Sequence, residues 1–301
     1  MKSGPQAGIY RWSKALRSES EVNTWEAVIE SSALLGATIS HQAGKKTWRL
    51  EMFGPSAEEL SGWEKKFGGR IEYISEAELE AMSQPVKASQ GEVLKIRDRI
   101  IVSQETNEAI LQQLREDFPK RLVLSYPPAL AFGTGGHATT ATCLRLICDY
   151  VKNRNKDRLA PWSFLDLGCG SGILSAAANG LGAQSVVGID FDEMAVRTAR
   201  RLAKNNCLEG DCLIEGDVLQ WQPPGKQTYD LIAANIFHDV LIELFPKLPA
   251  YLSPGGELII SGILNSQEKN CLQAGEQAGL AFDRVIRKGK WSTAHATLRT
   301  I

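Results

Sequence analysis

Two glycine-rich segments are the positions at which this chain could most readily hold a ligand. They read AFGTGGHATT (131–140) and DLGCGSG (166–172), and they lie about thirty residues apart. Glycine residues allow a backbone to pass close to a ligand that side chains would otherwise exclude. Two such turns in one short region therefore indicate a single ligand that is held from two sides.

An acidic residue follows the second segment at a spacing that suits a nucleoside. Asp190 ends the predicted strand SVVGID (185–190) and lies 22 positions after Gly168. A carboxylate there can accept hydrogen bonds from both ribose hydroxyls, and each such bond contributes about 1.5–3 kcal/mol. A helix cap is the other interpretation of Asp190, but Asp192 is better placed to cap the next helix. We therefore predict that Asp190 binds the ligand.

Asp217 is a further candidate, because it ends the predicted strand segment CLIEGD (212–217) at the height of an adenine amine. A solvent-exposed loop carboxylate is almost as good an interpretation of this residue. NAD and S-adenosylmethionine would both suit an acid at Asp190. The G-x-G-x-G spacing of DLGCGSG differs from the G-x-G-x-x-G that commonly binds a dinucleotide pyrophosphate. This spacing, together with a predicted terminal β-hairpin, favours S-adenosylmethionine.

The elements that carry these residues alternate between strand and helix from Thr139 onward. The predicted strands, separated by helical stretches, are residues 163–168, 185–190, 212–217, 230–236 and 257–263. Unbroken apolar strands between helices predict a mostly parallel sheet that is covered on both faces. Residues 282–299 instead predict two strands joined through Gly289, which form an antiparallel C-terminal hairpin. The predicted fold class is α/β, with a Rossmann-like sheet.

The first part of the chain predicts a small α+β domain over residues 1–75. Its predicted elements are a strand at Tyr10–Leu16, a helix at Val22–Leu35, a strand at Thr47–Phe53, a helix at Ala57–Phe67 and a strand at Arg70–Ile74. Residues 76–120 follow as a polar linker and connecting elements, with β character at 96–103 and a helix near 107–118. The α/β domain then covers residues 121–301.

Composition and charge limit the classes of function that the chain can have. Its 301 residues are 43% hydrophobic with a net charge of −1, so no global basic field exists to bind nucleic acid. Six cysteines form no C-x-x-C pair and none lies beside a histidine at ligand spacing, so we predict no metal site. The N-terminus lacks the apolar stretch of a signal peptide, and prolines and glycines interrupt the uncharged run Leu122–Leu144. We expect a cytoplasmic protein without a membrane-spanning segment.

Five segments together resemble the ribosomal protein L11 methyltransferase (PrmA) family of class I S-adenosylmethionine-dependent methyltransferases. They are AFGTGGHATT, DLGCGSGILS, GIDFDEMAV, AANIFHDVL and LSPGGELIISGIL. The resemblance covers about residues 120–301 and implies that Thr140, Gly168, Asp190 and Asn235 bind the cofactor. Gly170 joins this set because its backbone belongs to the same turn. The resemblance also implies methyl transfer to amine nitrogens of a protein, with ribosomal protein L11 as the first candidate.

Asn235 takes the catalytic position in this resemblance, at the end of the predicted strand 230–236. Many amine methyltransferases have Asn or Asp there, whose side-chain carbonyl and next backbone carbonyl orient the attacking nitrogen. A turn residue that closes the strand is the other interpretation. His137 and His238 lie nearby in sequence, but a lone histidine is more often a structural group, so no general base is assigned. Phe132 is predicted either as an apolar wall of the pocket or as a core residue.

Two departures from the family pattern concern the substrate. In the family, a small N-terminal α+β domain recruits the ribosomal substrate, so the resemblance implies this role for residues 1–75. The tryptophan-containing stretch that commonly joins the family's two domains is replaced by SEAELEAMSQPVKASQGEV (75–93). In the first glycine-rich segment, Gly136 and Ala138 stand where other residues are frequent. Another protein lysine, a small-molecule substrate and cofactor binding without turnover therefore stay as alternatives to methylation of L11.

Overall fold

The computed structural model describes residues 8–18, 21, 25, 38–41, 48–75, 78, 93–127, 137–154 and 161–299. The chain divides into two units, Met1–Gln84 and Pro85–Ile301. The expected small domain ended at residue 75, and residues 76–120 were expected to connect it to the next domain. In the structure, residues 94–117 instead provide two strands and a helix of the second unit.

In its described residues, the first unit contains a four-stranded antiparallel sheet with a helix packed on it. Its elements are β1 (Gly8–Leu16), β2 (Thr38–His41), β3 (Trp48–Gly54), α1 (Ala57–Phe67) and β4 (Arg70–Ser75), with strand order β2-β3-β1-β4. The Ser56 side chain caps α1 by accepting a hydrogen bond from the Glu59 amide. Trp12, Leu50 and Leu60 form the centre of its core. The helix predicted at Val22–Leu35 lies outside the described residues, apart from Trp25.

The second unit begins with a small three-stranded sheet. Its elements are β5 (Leu94–Ile96), β6 (Ile100–Ser103), α2 (Glu108–Asp117) and β7 (Leu122–Ser125), with β6 antiparallel to β5 and parallel to β7. The β character predicted for residues 96–103 is thus a hairpin, because Arg97 at φ 51° turns the chain back. The buried Asn206 side chain exchanges hydrogen bonds of 2.8 and 3.0 Å with the Ser125 backbone and fastens β7 to the main α/β layer.

A seven-stranded sheet forms the main part of this unit. Its strands are β8 (Trp162–Leu167), β9 (Ala183–Asp190), β10 (Leu213–Glu215), β11 (Tyr229–Asn235), β12 (Leu252–Leu264), β13 (Leu280–Lys288) and β14 (Trp291–Leu298). The spatial order is β10-β9-β8-β11-β12-β14-β13. Strands β8 to β12 are parallel, whereas β14 is antiparallel to both β12 and β13. This arrangement confirms the predicted mostly parallel sheet with an antiparallel C-terminal hairpin.

Among the described residues, six α-helices cover the two faces of this sheet. They are α3 (Ala138–Arg154), α4 (Ile173–Gly180), α5 (Glu193–Asn205), α6 (His238–Leu244), α7 (Leu248–Tyr251) and α8 (Glu268–Gln277). Alternate residues of β11 face opposite cores, since Leu231 packs with α3 to α5 and Ile232 packs with α6 to α8. This double burial explains why the strands are apolar throughout. Within the described residues, no helix is long and apolar enough to cross a membrane.

Candidate functional site

The turn after β8 brings backbone amides to the carboxyl edge of the parallel sheet. Gly168, Gly170 and Gly172 have φ values of 75°, 53° and 76°, a conformation that is costly for residues with a side chain. The Gly168 and Cys169 amides donate to the Ile189 carbonyl at 2.8 and 2.9 Å, which ties the turn to β9. Ligands of open α/β sheets bind beyond this carboxyl edge.

Asp190 and Asn235 flank this turn at one level of the sheet. Leu167, the last residue of β8, pairs with Ile189 on one side and with Ala234 on the other. Asp190 and Asn235 each come one residue after those partners, and Gly168 comes one residue after Leu167. The structure therefore brings together the predicted Gly168, Asp190 and Asn235, while Gly170 lies in the same turn.

The Asp190 carboxylate is almost fully buried, with 8% of the residue exposed. One oxygen accepts from the Gly170 amide at 2.8 Å, and the other accepts from the Asp192 amide at 3.0 Å. Burial raises the pKa of Asp190 above its ordinary value, although these backbone hydrogen bonds oppose the shift. A carboxylate has about four acceptor sites, so both oxygens can accept further bonds. Asp192 caps α5 by accepting from the Met194 amide, which separates the capping role from Asp190.

Thr140 lies in the first turn of α3 and is 1% exposed. Its hydroxyl oxygen is buried and has no hydrogen-bond partner among the residues that the structure describes. An unpaired buried hydroxyl costs about 1–3 kcal/mol, so a ligand that bonds to it would remove this cost. The preceding part of the first glycine-rich segment, with Phe132 and Gly136, lies outside the described residues.

The Asn235 side chain is partly buried at the end of β11. Its amide oxygen is buried and, in the described ranges, has no hydrogen-bond partner. Strand β11 ends at Asn235, which pairs with Ser261 of β12. The next residue stays attached to β12, because the Ile236 amide donates to the Ser261 carbonyl at 3.2 Å. The oxygen that was expected to orient a substrate nitrogen is therefore not used by the described part of the protein.

Asp217 does not end a strand, so this detail of the prediction was wrong. Strand β10 stops at Glu215, and the Asp217 carboxylate accepts from the Leu219 amide at 2.9 Å to close a turn. The same loop lies at the carboxyl edge of the sheet, since the Gly216 amide donates to the Asp190 carbonyl at 2.8 Å. Contact between Asp217 and an adenine amine stays a prediction.

Two buried polar groups near the turn were not predicted from the sequence. Asp166 in β8 is fully buried, and one of its oxygens accepts from the amide and hydroxyl of Ser175 at 3.1 and 2.7 Å. Burial raises the pKa of Asp166 to about 7. Burial also raises the pKa of Tyr126 well above 10, and the charge of Asp166 adds to this shift. Within the described part of the chain, Asp166 Oδ1 and the Tyr126 hydroxyl have no hydrogen-bond partner.

The two histidines near the site have protein partners. His137 Nδ1 lies 2.7 Å from the Thr139 hydroxyl, and its ring packs edge-on against Trp291. Burial, followed by the charge of Lys290, lowers the pKa of His137. His238 Nε2 lies 2.8 Å from an Asp239 carboxylate oxygen. In the described ranges, no group of three or more His, Cys, Asp or Glu residues could hold a metal ion.

The strand order, the reversed last strand and the glycine turn after β8 define the class I methyltransferase fold. A family model for ribosomal protein L11 methyltransferase (PrmA) matches residues 88–299. The chain therefore belongs to this family.

Individual relatives are similar to the chain over part of their length. The ribosomal protein L11 methyltransferase of Desulforapulum autotrophicum is 34% identical over 67% of this chain and 65% of its own length. The protein of the same name from Pelotomaculum thermopropionicum is 38% identical over 59% of this chain and 55% of its own length. The chain thus spans less than two thirds of these curated relatives. The crystal structure of a ribosomal protein L11 methylase from Lactobacillus delbrueckii subsp. bulgaricus has a TM-score of 0.55 and 26% identity, covering 70% of this chain and all of that one.

Proposed function

We propose that this chain transfers methyl groups from S-adenosylmethionine to amine nitrogens of a protein, with ribosomal protein L11 as the leading substrate. The observation that carries the proposal is a set of buried oxygens with unused acceptor sites. Thr140 Oγ1, Asp166 Oδ1 and Asn235 Oδ1 have no partner among the described residues, and Asp190 accepts only backbone amides. Such acceptors suit a ligand that carries hydroxyl and ammonium donors.

The residues present match the parts of this cofactor. The turn with Gly168 and Gly170 lets the ligand approach the backbone, and Asp190 would accept from its ribose hydroxyls. Asp166 would accept from its ammonium group, and Thr140 adds a hydroxyl at the start of α3. Asp217, in the loop beside Asp190, is proposed for the adenine amine. These polar contacts would hold the amino-acid and nucleoside parts of the ligand and leave the sulfonium between them for the reaction.

Asn235 would orient the acceptor nitrogen. S-adenosylmethionine, when bound, supplies a methyl group on a sulfonium, so a C–N bond forms as the C–S bond breaks and a neutral thioether leaves. Asn235 Oδ1 and the Ile236 carbonyl oxygen would accept the N–H groups of the substrate amine, which fixes the direction of its lone pair. Positioning of this kind can supply about 7–11 kcal/mol of barrier lowering.

The substrate amine must lose a proton before the transfer. At pH 7 this costs about 4–5 kcal/mol for a lysine of pKa 10.4 and about 1 kcal/mol for an α-amine of pKa 7.7–8.0. His137 is bonded to Thr139 and His238 is paired with Asp239. We therefore assign the proton to solvent, with carbonyl oxygens holding the neutral amine that remains.

The first unit would recruit the protein substrate. Support comes from the resemblance to the L11 methyltransferase family, whose N-terminal domain recruits the substrate, and from the core of this unit, whose described residues form a cluster of their own. We propose that the recruiting part corresponds to residues 1–75 and that the enzyme works in the cytoplasm, where its proposed substrate is made. We propose no direct contact with nucleic acid or membrane.

The test uses labelled S-adenosylmethionine with purified ribosomal protein L11 and with a ribosome-containing lysate. A labelled band at L11 that disappears with Asn235→Ala supports the proposal. Label on another protein would reject L11 as the substrate. Label in the small-molecule fraction alone would indicate a small-molecule methyltransferase, and calorimetric binding without any label would indicate a cofactor-binding module. Stabilisation against heat by NAD, and not by S-adenosylmethionine, would contradict the cofactor assignment.

A further inference from the structure

Ile236, the residue directly after Asn235, is enclosed by glycine residues on two sides. A Cβ atom added at Gly168 would lie 2.2 Å from Ile236 Cγ2, and one added at Gly262 would lie 2.5 Å from the Ile236 carbonyl oxygen. Ordinary contacts begin at 3.4 Å, so neither position has room for a side chain. The Ile236 side chain therefore fills the space above the turn after β8, while its carbonyl group lies against β12.

Gly262 is itself held in place by its neighbours in β12. It has a φ of 84°, and the pairing of β12 with β14 is irregular between Ile260 and Ile263. The preceding residue, Ser261, accepts the Ile236 amide and shares a buried 2.6 Å hydrogen bond with Thr293 of β14. Strand β12 cannot easily move away from Ile236, because it is fixed to β11 on one side and to β14 on the other.

We propose that Gly262 is a positioning residue for methyl transfer. By lacking a side chain, it lets the Ile236 carbonyl oxygen lie where, together with Asn235 Oδ1, it receives the N–H groups of the acceptor nitrogen. Gly168 completes the arrangement, since it gives the Ile236 side chain its space on the opposite side. This inference rests on the proposed function, because it assigns a task to Gly262 only if Asn235 and Ile236 orient a substrate amine.

An alanine at Gly262 gives the expected size of the effect. Its Cβ atom would be about 0.9 Å too close to the Ile236 carbonyl oxygen, and the obstructing atoms are backbone atoms that cannot rotate away. Displacement of a reacting group by about 1 Å can reduce a rate by about 100-fold. The cofactor contacts proposed for Asp190 and Thr140 involve other strands and helices, so cofactor affinity should change little.

The matched control is Gly279→Ala. Gly279 also has a positive φ, 91°, but no described atom lies within 4 Å of a Cβ atom added there. It therefore reproduces the backbone strain of the substitution without the contact. For both variants we would measure kcat on purified L11, the Kd of S-adenosylhomocysteine by calorimetry, and Tm. We expect Gly262→Ala to lose about 100-fold in kcat with a Kd within about 3-fold of wild type, and Gly279→Ala to keep wild-type turnover.

A double variant keeps the test decisive if Gly262→Ala alone folds poorly. Ile236→Ala removes the side chain that faces Gly168. The backbone of residue 236 can then shift away from the new methyl group at position 262. Gly262→Ala/Ile236→Ala should therefore recover Tm but not kcat, because the carbonyl oxygen stays displaced. Recovery of kcat together with Tm in the double variant would overturn the inference. An equal loss of kcat and of affinity for S-adenosylhomocysteine in Gly262→Ala would also overturn it.

The wild-type protein separates failure of this inference from failure of the proposed function. Wild-type protein that binds S-adenosylhomocysteine but methylates nothing would reject both. Active wild-type protein whose Gly262→Ala variant matches Gly279→Ala in kcat would reject only the positioning role of Gly262.

Discussion

Asp166 is the buried carboxylate whose protonation should control cofactor affinity. It lies fully buried in the strand before the glycine turn, where burial raises its pKa from 3.8 to about 7. At pH 7, about half of the ligand-free protein therefore carries a proton on this side chain. An ammonium group bound near Asp166 Oδ1 favours the ionised carboxylate. Binding then releases the proton, so affinity should rise as the pH rises.

The pKa sets the size of this effect. At pH values below the Asp166 pKa of about 7, each unit by which the pH falls weakens binding by about tenfold, or about 1.4 kcal/mol. Between pH 5.5 and 7.5 the Kd of S-adenosylhomocysteine should therefore fall by about 25-fold. The range ends at about 7.5 because the carboxylate is then mostly ionised and the affinity should level off.

Calorimetry at several pH values, in buffers of different ionisation enthalpy, measures both the Kd and the protons released. Asp166→Asn should remove most of the pH dependence and most of the released proton. Asp190→Asn is the comparison, because the pKa of this second carboxylate is also raised by burial. It should weaken binding at every pH but keep a pH-dependent affinity, with the change moved to lower pH because the Asp190 charge helps to raise the pKa of Asp166. A wild-type Kd that does not vary with pH, or an unchanged slope in Asp166→Asn, would refute the role of Asp166.

Three other side chains give outcomes that separate turnover, affinity and stability. Asn235→Ala should lower kcat by about 100-fold with little change in S-adenosylhomocysteine affinity, and equal losses measured for both would contradict an orienting role. Thr140→Val should weaken the affinity for S-adenosylhomocysteine. It should keep or raise the Tm of the ligand-free protein, since the removed hydroxyl has no described hydrogen-bond partner. A clearly lower Tm would show that the hydroxyl is hydrogen-bonded within the protein. Burial alone would lower the pKa of His295, but hydrogen bonds and charges from Glu257 and Asp283 raise it overall. This stabilisation is complete below about pH 6.5 and fades as the pH rises through the higher folded pKa, so urea unfolding should show a larger deficit for His295→Gln at pH 6 than at pH 9.

The parts of the fold that depend on local pattern could be predicted from the sequence. Apolar strands between amphipathic helices predicted the parallel sheet, and the turn at Gly289 predicted the reversed last strand. The helix Ala57–Phe67 was predicted with its observed bounds, and the structure shows that Ser56 caps its first turn and Gly68 follows its last residue. The position of Asp190 beside the turn after β8 could be predicted, because that turn and the end of β9 lie at the same edge of a parallel sheet.

The parts that depend on packing could not be predicted in the same way. In the sequence, Asp166 is one polar residue in an apolar strand. Only the packing of the hydrophobic clusters on the two faces of the sheet shows that its carboxyl group is buried. The approach of Gly262 to Ile236 joins two strands that are 26 positions apart in the chain, so no local spacing reveals it. Asp217 was expected to end a strand over residues 212–217. The pairing of β10 with β9 stops at Glu215, and this end depends on the neighbouring strand.

Adjacency in the sheet also explains how the proposed binding and orienting roles would fall to different residues. Asp190 and Asn235 follow the two partners of Leu167, so they stand on opposite sides of Gly168 at the same level. Neighbouring strands are about 4.8 Å apart, so the two backbones are separated by about 10 Å. A ligand whose sugar binds at Asp190, as proposed, would have to cross the glycine turn to reach Asn235. A Cβ atom at position 168 would lie 2.2 Å from Ile236 Cγ2, so the absence of a side chain at Gly168 lets Ile236 lie directly beside this turn, next to the proposed orienting residue Asn235.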